Sequence, residues 1–215
     1  MKIILDKIKP QYRNNIIDIC YRTGYMGEEM GDKNLFADKE LFAYLFCLYY
    51  VDYAPEDCLV AFDEDAQKVA GYILGEAQSN RTVMRKIWYI GPKIVLLGLK
   101  DLLFHYQETG KTLWHFIRQI GKTDEKTWYA QYPAHLHINI APEYQKQGLG
   151  GRLLAAFEEK MRNKKVVGIH LVTSNYNWKA IPFYEKHGYR LLSQQPSFLW
   201  PNLTDMQELI FGRKL

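Results

Sequence analysis

Cysteine is scarce. Cys20, Cys47 and Cys58 are the only three in 215 residues, an odd number with no C-x-x-C pair. Such a set builds neither a disulfide framework nor a cysteine-based zinc site, and a reducing cytosol is the expected compartment. Long apolar runs are missing too. The longest, at 44–51 and 94–99, fall far short of the ~20 residues a membrane helix needs, and mean hydropathy is −0.32. The first residues, MKIILDKIKPQYR, hold no apolar stretch followed by a small-residue cleavage site, so no secretory leader is expected. An excess of one charge is also lacking. Against 28 basic residues stand 24 acidic ones, a scattered net charge of +4. That balance argues against a nucleic-acid footprint and points only mildly to a small anionic ligand. Repeats and low-complexity segments do not occur.

What the chain does hold is core material. Hydrophobic residues make up 47% and charged ones 24%, which excludes wholesale disorder and allows one large domain over 1–215. Aromatics reach 14%, with 16 Tyr and 5 Trp. Most read as packing, and those crowded before residue 133 also suit the lining of a pocket.

Hydrophobic periodicity divides the chain into elements. Residues 3–8 read as a strand. Pro10 opens a helix over 11–22 with Tyr12, Ile16, Ile19 and Cys20 on one face. Gly24, Gly27 and Gly31 make TGYMGEEMGD a loop, and residues 35–53 read as one buried helix ended by Pro55. Runs at 58–62 and 69–75 form a hairpin. Residues 80–130 read as a helical insertion or lid, with amphipathic segments at 94–107 and 111–121. From 134 to 140 the pattern alternates, with His135, His137 and Asn139 on one face and Leu136, Ile138 and Ile140 on the other. A loop, a helix over 148–163, an apolar strand over 166–172, a helix over 177–187 and two closing strands at 189–192 and 209–211 follow. The order predicts a mixed α/β sheet flanked by helices.

The sharpest feature is Gln145-Lys146-Gln147-Gly148-Leu149-Gly150-Gly151, set between a strand and a helix. Glycines let a backbone come close to a ligand. The first N–H groups of the following helix lack internal partners and sit at the positive end of its dipole. Together these make a phosphate or pyrophosphate site. A tight strand-to-helix turn explains the glycines equally well at this level. No G-x-x-x-x-G-K-[ST] and no G-x-G-x-x-G occurs, which excludes a Walker loop and disfavours a dinucleotide fold.

Gln145-x-x-Gly148-x-Gly150 resembles the Q/R-x-x-G-x-G/A signature of the GNAT superfamily of N-acetyltransferases. The stretch from Asn177 to Tyr189, NWKAIPFYEKHGY, is similar to the family's N-x-x-A-x-x-F-Y-x-x-x-G-[FY] helix, and the strand end Ile140-Ala141-Pro142 fits too. The resemblance covers about 133–192. More loosely, RTGYMGEE and VAGYILG resemble the acetyltransferase-like domain associated with O-GlcNAc hydrolases. The resemblance implies a GNAT fold, acetyl-CoA as co-substrate, no metal, and an amine acceptor that is a small molecule or a peptide. It leaves a homodimer open.

It also implies roles. Main-chain N–H groups of Gln147 through Gly151 would hold the CoA pyrophosphate, beside Gln145 and Lys146. The strand end Asn139, Ile140 and Ala141 would pair with the pantetheine arm, as free strand edges can. Asn177 would contact that arm, though a helix N-cap explains it as well. Tyr184 would protonate the departing thiolate. A phenol near pKa ~10 is protonated at pH 7, and a thiol leaves near ~8.5. The rival reading of Tyr184 is a core tyrosine.

The base that frees the amine is less defined. Many family members place a Glu on the central strand, and this strand has none. His135 and His137 titrate in a suitable range, and Glu28 and Glu29 lie in the loop after the first helix. Each has a plainer reading, as a bonded strand histidine or a solvated acid. His135 and His137 have metal-ligand spacing but no third ligand, so no metal site is expected. Lys146, Arg152, Lys179 and Lys186 could attract phosphates or form a solvated face. A CoA-binding regulatory module without catalysis is the main rival function.

Overall fold

The computed structural model of the protein describes residues 2–33, 35–79, 83–104, 109–112, 114, 127–197 and 199–215. Among the described residues the strands are β1 (Ile3–Lys7), β2 (Leu59–Asp63), β3 (Lys68–Glu76), β4 (Ala134–Ile140), β5 (Gly168–Ser174), β6 (Arg190–Pro196) and β7 (Gln207–Lys214). They form one sheet in the order β1-β2-β3-β4-β5-β7-β6. Every pair is antiparallel except β4 with β5. The helices are α1 (Arg13–Thr23), α2 (Lys39–Phe46), α3 (Leu48–Tyr53), α4 (Val83–Phe104), α5 (Leu149–Asn163) and α6 (Ala180–Lys186). The expected mixed α/β architecture is therefore present.

Helices α1 and α3 pack on one face of the central strands and α5 on the other. Gly75 shows how closely. A Cβ there would meet the His135 carbonyl oxygen at 2.3 Å and the Phe157 ring at 2.7 Å, so no larger residue fits. Phe157 itself is fully buried, and truncating such a ring costs about 3–5 kcal/mol.

Three expected elements differ in detail. The single helix over 35–53 is two. Asp38 caps α2 by accepting from the N–H groups of Glu40 and Leu41 at 2.7 and 3.0 Å, and the chain leaves helical geometry at Cys47 before α3 begins. Within the insertion, α4 starts at Val83 rather than near residue 94. It passes through Gly91 and Pro92 without ending. The segment expected at 111–121 lies mostly outside the described residues. Finally, the closing strands are longer than their apolar runs, because β6 continues through the polar Ser193, Gln194 and Gln195 on the sheet edge, paired with β7.

Candidate active site

Strands β4 and β5 pair only at Ala134↔Ile169 and His135↔His170, whereas β3 follows β4 from His135 to Ile140. Beyond His135 and His170 the two parallel strands part, and a wedge opens toward their C-terminal ends. On the β3 side the Ala141 N–H donates to the Ala70 carbonyl at 2.9 Å. Strand alternation then turns the main-chain groups of Ile138 and Ile140 toward the wedge. Of the expected edge, Ala141 thus spends its N–H on the sheet, while Ile140 and the neighbouring Ile138 face the wedge. Asn139 contributes its side chain on the helix face, donating from Nδ2 to Thr23 Oγ1 at 2.6 Å.

The loop after β4 is pinned at its start. The Tyr144 hydroxyl donates to Asp63 Oδ2 at 3.0 Å, and Arg22 grips Glu143 through both guanidinium NH2 nitrogens at 2.8 and 3.3 Å. That partner holds the Glu143 carboxyl below its usual range. Gln145 Nε2 reaches back to the Ile140 carbonyl at 3.1 Å, and Gln147 Nε2 to the Glu143 carbonyl at 3.2 Å. Lys146 and Gly148 both adopt left-handed backbone, φ +61° and +76°. Gly148 is the N-cap of α5, and a Cβ on it would meet nothing within 4 Å. The space above this turn is open, and the first N–H groups of a 15-residue helix face it.

The other two glycines do a different job. A Cβ on Gly150 would touch the Phe183 ring at 3.2 Å, and one on Gly151 would touch His187 Nε2 at 3.0 Å. They allow α5 and α6 to meet closely, so the phosphate-type turn and the NWKAIPFY segment sit side by side. Asn177 lies before the helix N-cap, Lys179, yet its Oδ1 still accepts from the Ala180 N–H at 3.3 Å. A Cβ on Gly27 would come within 3.4 Å of the same oxygen, so the loop after α1 closes over it.

Tyr184 is 7% exposed, packed against Phe183, Tyr189 and Phe211. Burial pushes its phenol well above the ordinary value. The group therefore stays protonated near neutrality, able to donate a hydrogen bond. Among the described residues its hydroxyl has no hydrogen-bond partner. Burial also raises the thiols: Cys58 is pushed up to about 12 and Cys47 upward too. That leaves both inert as nucleophiles at neutral pH.

The histidines gather where the wedge begins. Tyr50 of α3 holds its hydroxyl 3.0 Å from His135 Nδ1. Burial, and then the Glu76 carboxylate, push this phenol well up, so it stays protonated beside the imidazole. The His135 ring lies 4.6 Å from His137 and 4.8 Å from His170. His170 Nδ1 carries a proton, since it meets the Tyr132 carbonyl at 2.6 Å, and its ring packs on Trp128 and Tyr129. His170, Tyr50, Glu76 and Ile138 carried no motif signal, because strand register and helix packing bring them in. Glu28 and Glu29 are exposed, and Glu28 pairs with Lys33 at 2.8 Å, which lowers its pKa. Arg152 donates to the Ile3 carbonyl at 3.1 Å, while Lys146, Lys179 and Lys186 are exposed. Among the described residues no three His, Cys, Asp or Glu side chains could hold a metal, and no helix is long and apolar enough to cross a membrane.

The wedge, the left-handed turn and the Asn177–Tyr184 segment form one unit, and its β4–α6 residues fall within the stretch matched by a known family model. Residues 104–191 match the family model for the acetyltransferase (GNAT) domain. The crystal structure of SsHAT superimposes with a TM-score of 0.68 over 100% of this chain and 98% of that one, at 22% identity. The chain has the GNAT acetyltransferase fold. Naa20 of Chaetomium thermophilum, solved with a bisubstrate analogue, shares the GNAT fold at a TM-score of 0.56 and 16% identity, over 99% of this chain and 86% of that one. Among curated proteins, the uncharacterised N-acetyltransferase YjcF of Bacillus subtilis (strain 168) is 33% identical over 70 residues, 33% of this chain and 47% of that protein. The uncharacterised YxbD of the same strain is 39% identical over 54 residues, 25% and 34% of the two chains. The match thus spans less than half the length of either curated relative.

Proposed function

We propose that the protein transfers the acetyl group of acetyl-CoA to a primary amine by direct attack. The observation that carries this reading is the edge of β4, unpaired with β5 beyond His135, opening beside the left-handed turn at Gly148. In this reading the N–H groups from Gln147 to Gly151 receive the pyrophosphate, with Lys146 beside them. Ile138 and Ile140 pair with the pantetheine amides by strand addition, which aims the thioester into the wedge. Asn177 borders the same arm. His137, with His135 behind it, takes the proton that the acceptor ammonium must lose, and Tyr184 donates to the departing thiolate. Glu29 would line the acceptor entrance. Acetyl-CoA supplies the activated acyl group, so no metal or covalent enzyme intermediate is required.

The absence of an acidic side chain among His135, His137 and Asn139 on β4 favours a second reading, a module that binds acetyl-CoA for regulation. Thiol release from acetyl-CoA, measured over a panel of small amines, aminosugars and peptides, separates the two. Amine-dependent thiol release is expected. Tight acetyl-CoA binding with no turnover on any acceptor would favour the regulatory module.

A further inference from the structure

Helix α4 is apolar on two sides. Its inner side meets α2 and α3, where Ile90 and Leu97 pack on the core. Tyr89 is buried at this contact, and its hydroxyl donates to Asp52 Oδ2, which Arg13 also holds at 2.8 Å. Lys93 stands over the Tyr89 ring at 3.4 Å and the Tyr44 ring at 4.6 Å, with Asp52 at 3.9 Å. The outer side faces solvent. Trp88 is 77% exposed and Leu96 72%, and Pro92, Val95 and Leu99 are exposed as well. Positions 88, 92, 95, 96 and 99 follow i, i+4, i+7, i+8 and i+11, so they form one stripe along the helix. A Cβ on Gly91 would meet nothing within 4 Å, so the space beside the stripe is open.

We infer that this outer stripe docks α4 flat on an anionic lipid surface. Charge supplies the second half of the argument. Acids and bases nearly balance over the whole chain, yet residues 81–100 hold five basic residues and no acidic one. They are Arg81, Arg85, Lys86, Lys93 and Lys100. Lys93 is spent on the inner contact. Arg85 is exposed one turn before Trp88, at the border of the stripe. A Trp- and Leu-bearing apolar face combined with Lys and Arg is the composition of a helix that lies in a lipid interface. With 22 residues α4 is about 33 Å long. It is not apolar enough to cross a membrane, so it lies on the surface.

A second copy of the chain fits this face less well. The helix is basic toward both ends, with Arg85 and Lys86 at one and Lys100 near the other. Two such helices laid side by side, in either direction, set cation near cation, which opposes pairing. A lipid surface supplies the missing anions and deforms around a convex stripe. An apolar stripe left in water gains from any such cover, because its burial removes apolar area from solvent. The inference stands apart from the acetyl-transfer reading, since no residue of the stripe belongs to the wedge or to the Gly148 turn.

Sedimentation of the full chain with phosphatidylcholine vesicles, with and without phosphatidylserine, tests this. Partitioning should be at least about tenfold stronger with phosphatidylserine, since each cation near such a surface adds roughly fivefold. It should weaken as salt rises. Trp88→Ser combined with Leu96→Ser should lower partitioning about tenfold or more, because binding scales with the apolar area buried. Both side chains are exposed, so the melting curve should hold. Arg85→Glu should weaken binding to the phosphatidylserine vesicles while leaving the apolar stripe whole. No partitioning by the wild type, equal partitioning onto both lipids, or a double variant that partitions like the wild type overturns the proposal. So does a wild-type dimer in sedimentation velocity that the double variant dissolves while neither chain binds vesicles, for then a second copy covers the face.

Discussion

At the scale of the residue, Tyr184 and Gly148 carry the account. Burial among Phe183, Tyr189 and Phe211 raises the Tyr184 phenol, so it stays protonated at any pH near neutrality, as the proposed donor role requires. Tyr184→Phe keeps the packing and removes the donor. Turnover should drop ~10²–10⁴-fold while acetyl-CoA affinity holds. Steady-state kinetics with a melting curve as control is the measurement, and full turnover in a folded variant would sink the donor role. The F-Y pair was legible because it sits in a motif of fixed spacing. Tyr50 and His170 were not, because one lies in a helix of ordinary aromatic composition and the other in a strand that reads as apolar core.

At the scale of the element, the site depends on how β3, β4 and β5 are registered. The alternation of residues 134–140 is visible in sequence because a strand has a period of two. The wedge is not visible, because it is set by where β4 and β5 stop pairing, a long-range property that no local pattern encodes. The break at Cys47 was hidden for a similar reason, since neither Gly nor Pro marks it. The role of Asn177 was half legible: it caps with its side chain, but two residues before the helix N-cap. Gly75 is the tightest point of this register, with the His135 carbonyl 2.3 Å from where a Cβ would stand. Gly75→Ala must push β3 and β4 apart. Overpacking of this kind costs about 1–3 kcal/mol or more. For a chain of this size, that lowers Tm by roughly 2–4 °C per kcal/mol. A thermal melt checks this, and an unchanged Tm would mean the strands yield without strain.

At the scale of the whole molecule, the turn that faces the wedge is tied to the helix layer by the Arg22–Glu143 pair. The pair depresses the Glu143 pKa below its ordinary 4.5. Its contribution to stability is therefore full above that value and is lost as pH falls through the depressed one. The carboxylate is half exposed, so the effect is small. Glu143→Gln should lower Tm slightly at neutral pH and make it less sensitive to pH below about 4.5, where variant and wild type converge. A variant as acid-sensitive as the wild type would contradict the pairing. The central claim is that the wedge and the Gly148 turn together hold acetyl-CoA, and calorimetric titration tests it most directly. The account predicts saturable one-to-one binding to the wild-type chain. It also predicts a loss of at least about tenfold in Gly148→Glu, since a side chain at left-handed backbone is strained by about 1–2 kcal/mol and its charge repels phosphate. Equal affinity in the folded variant, or no binding by the wild type, would contradict it.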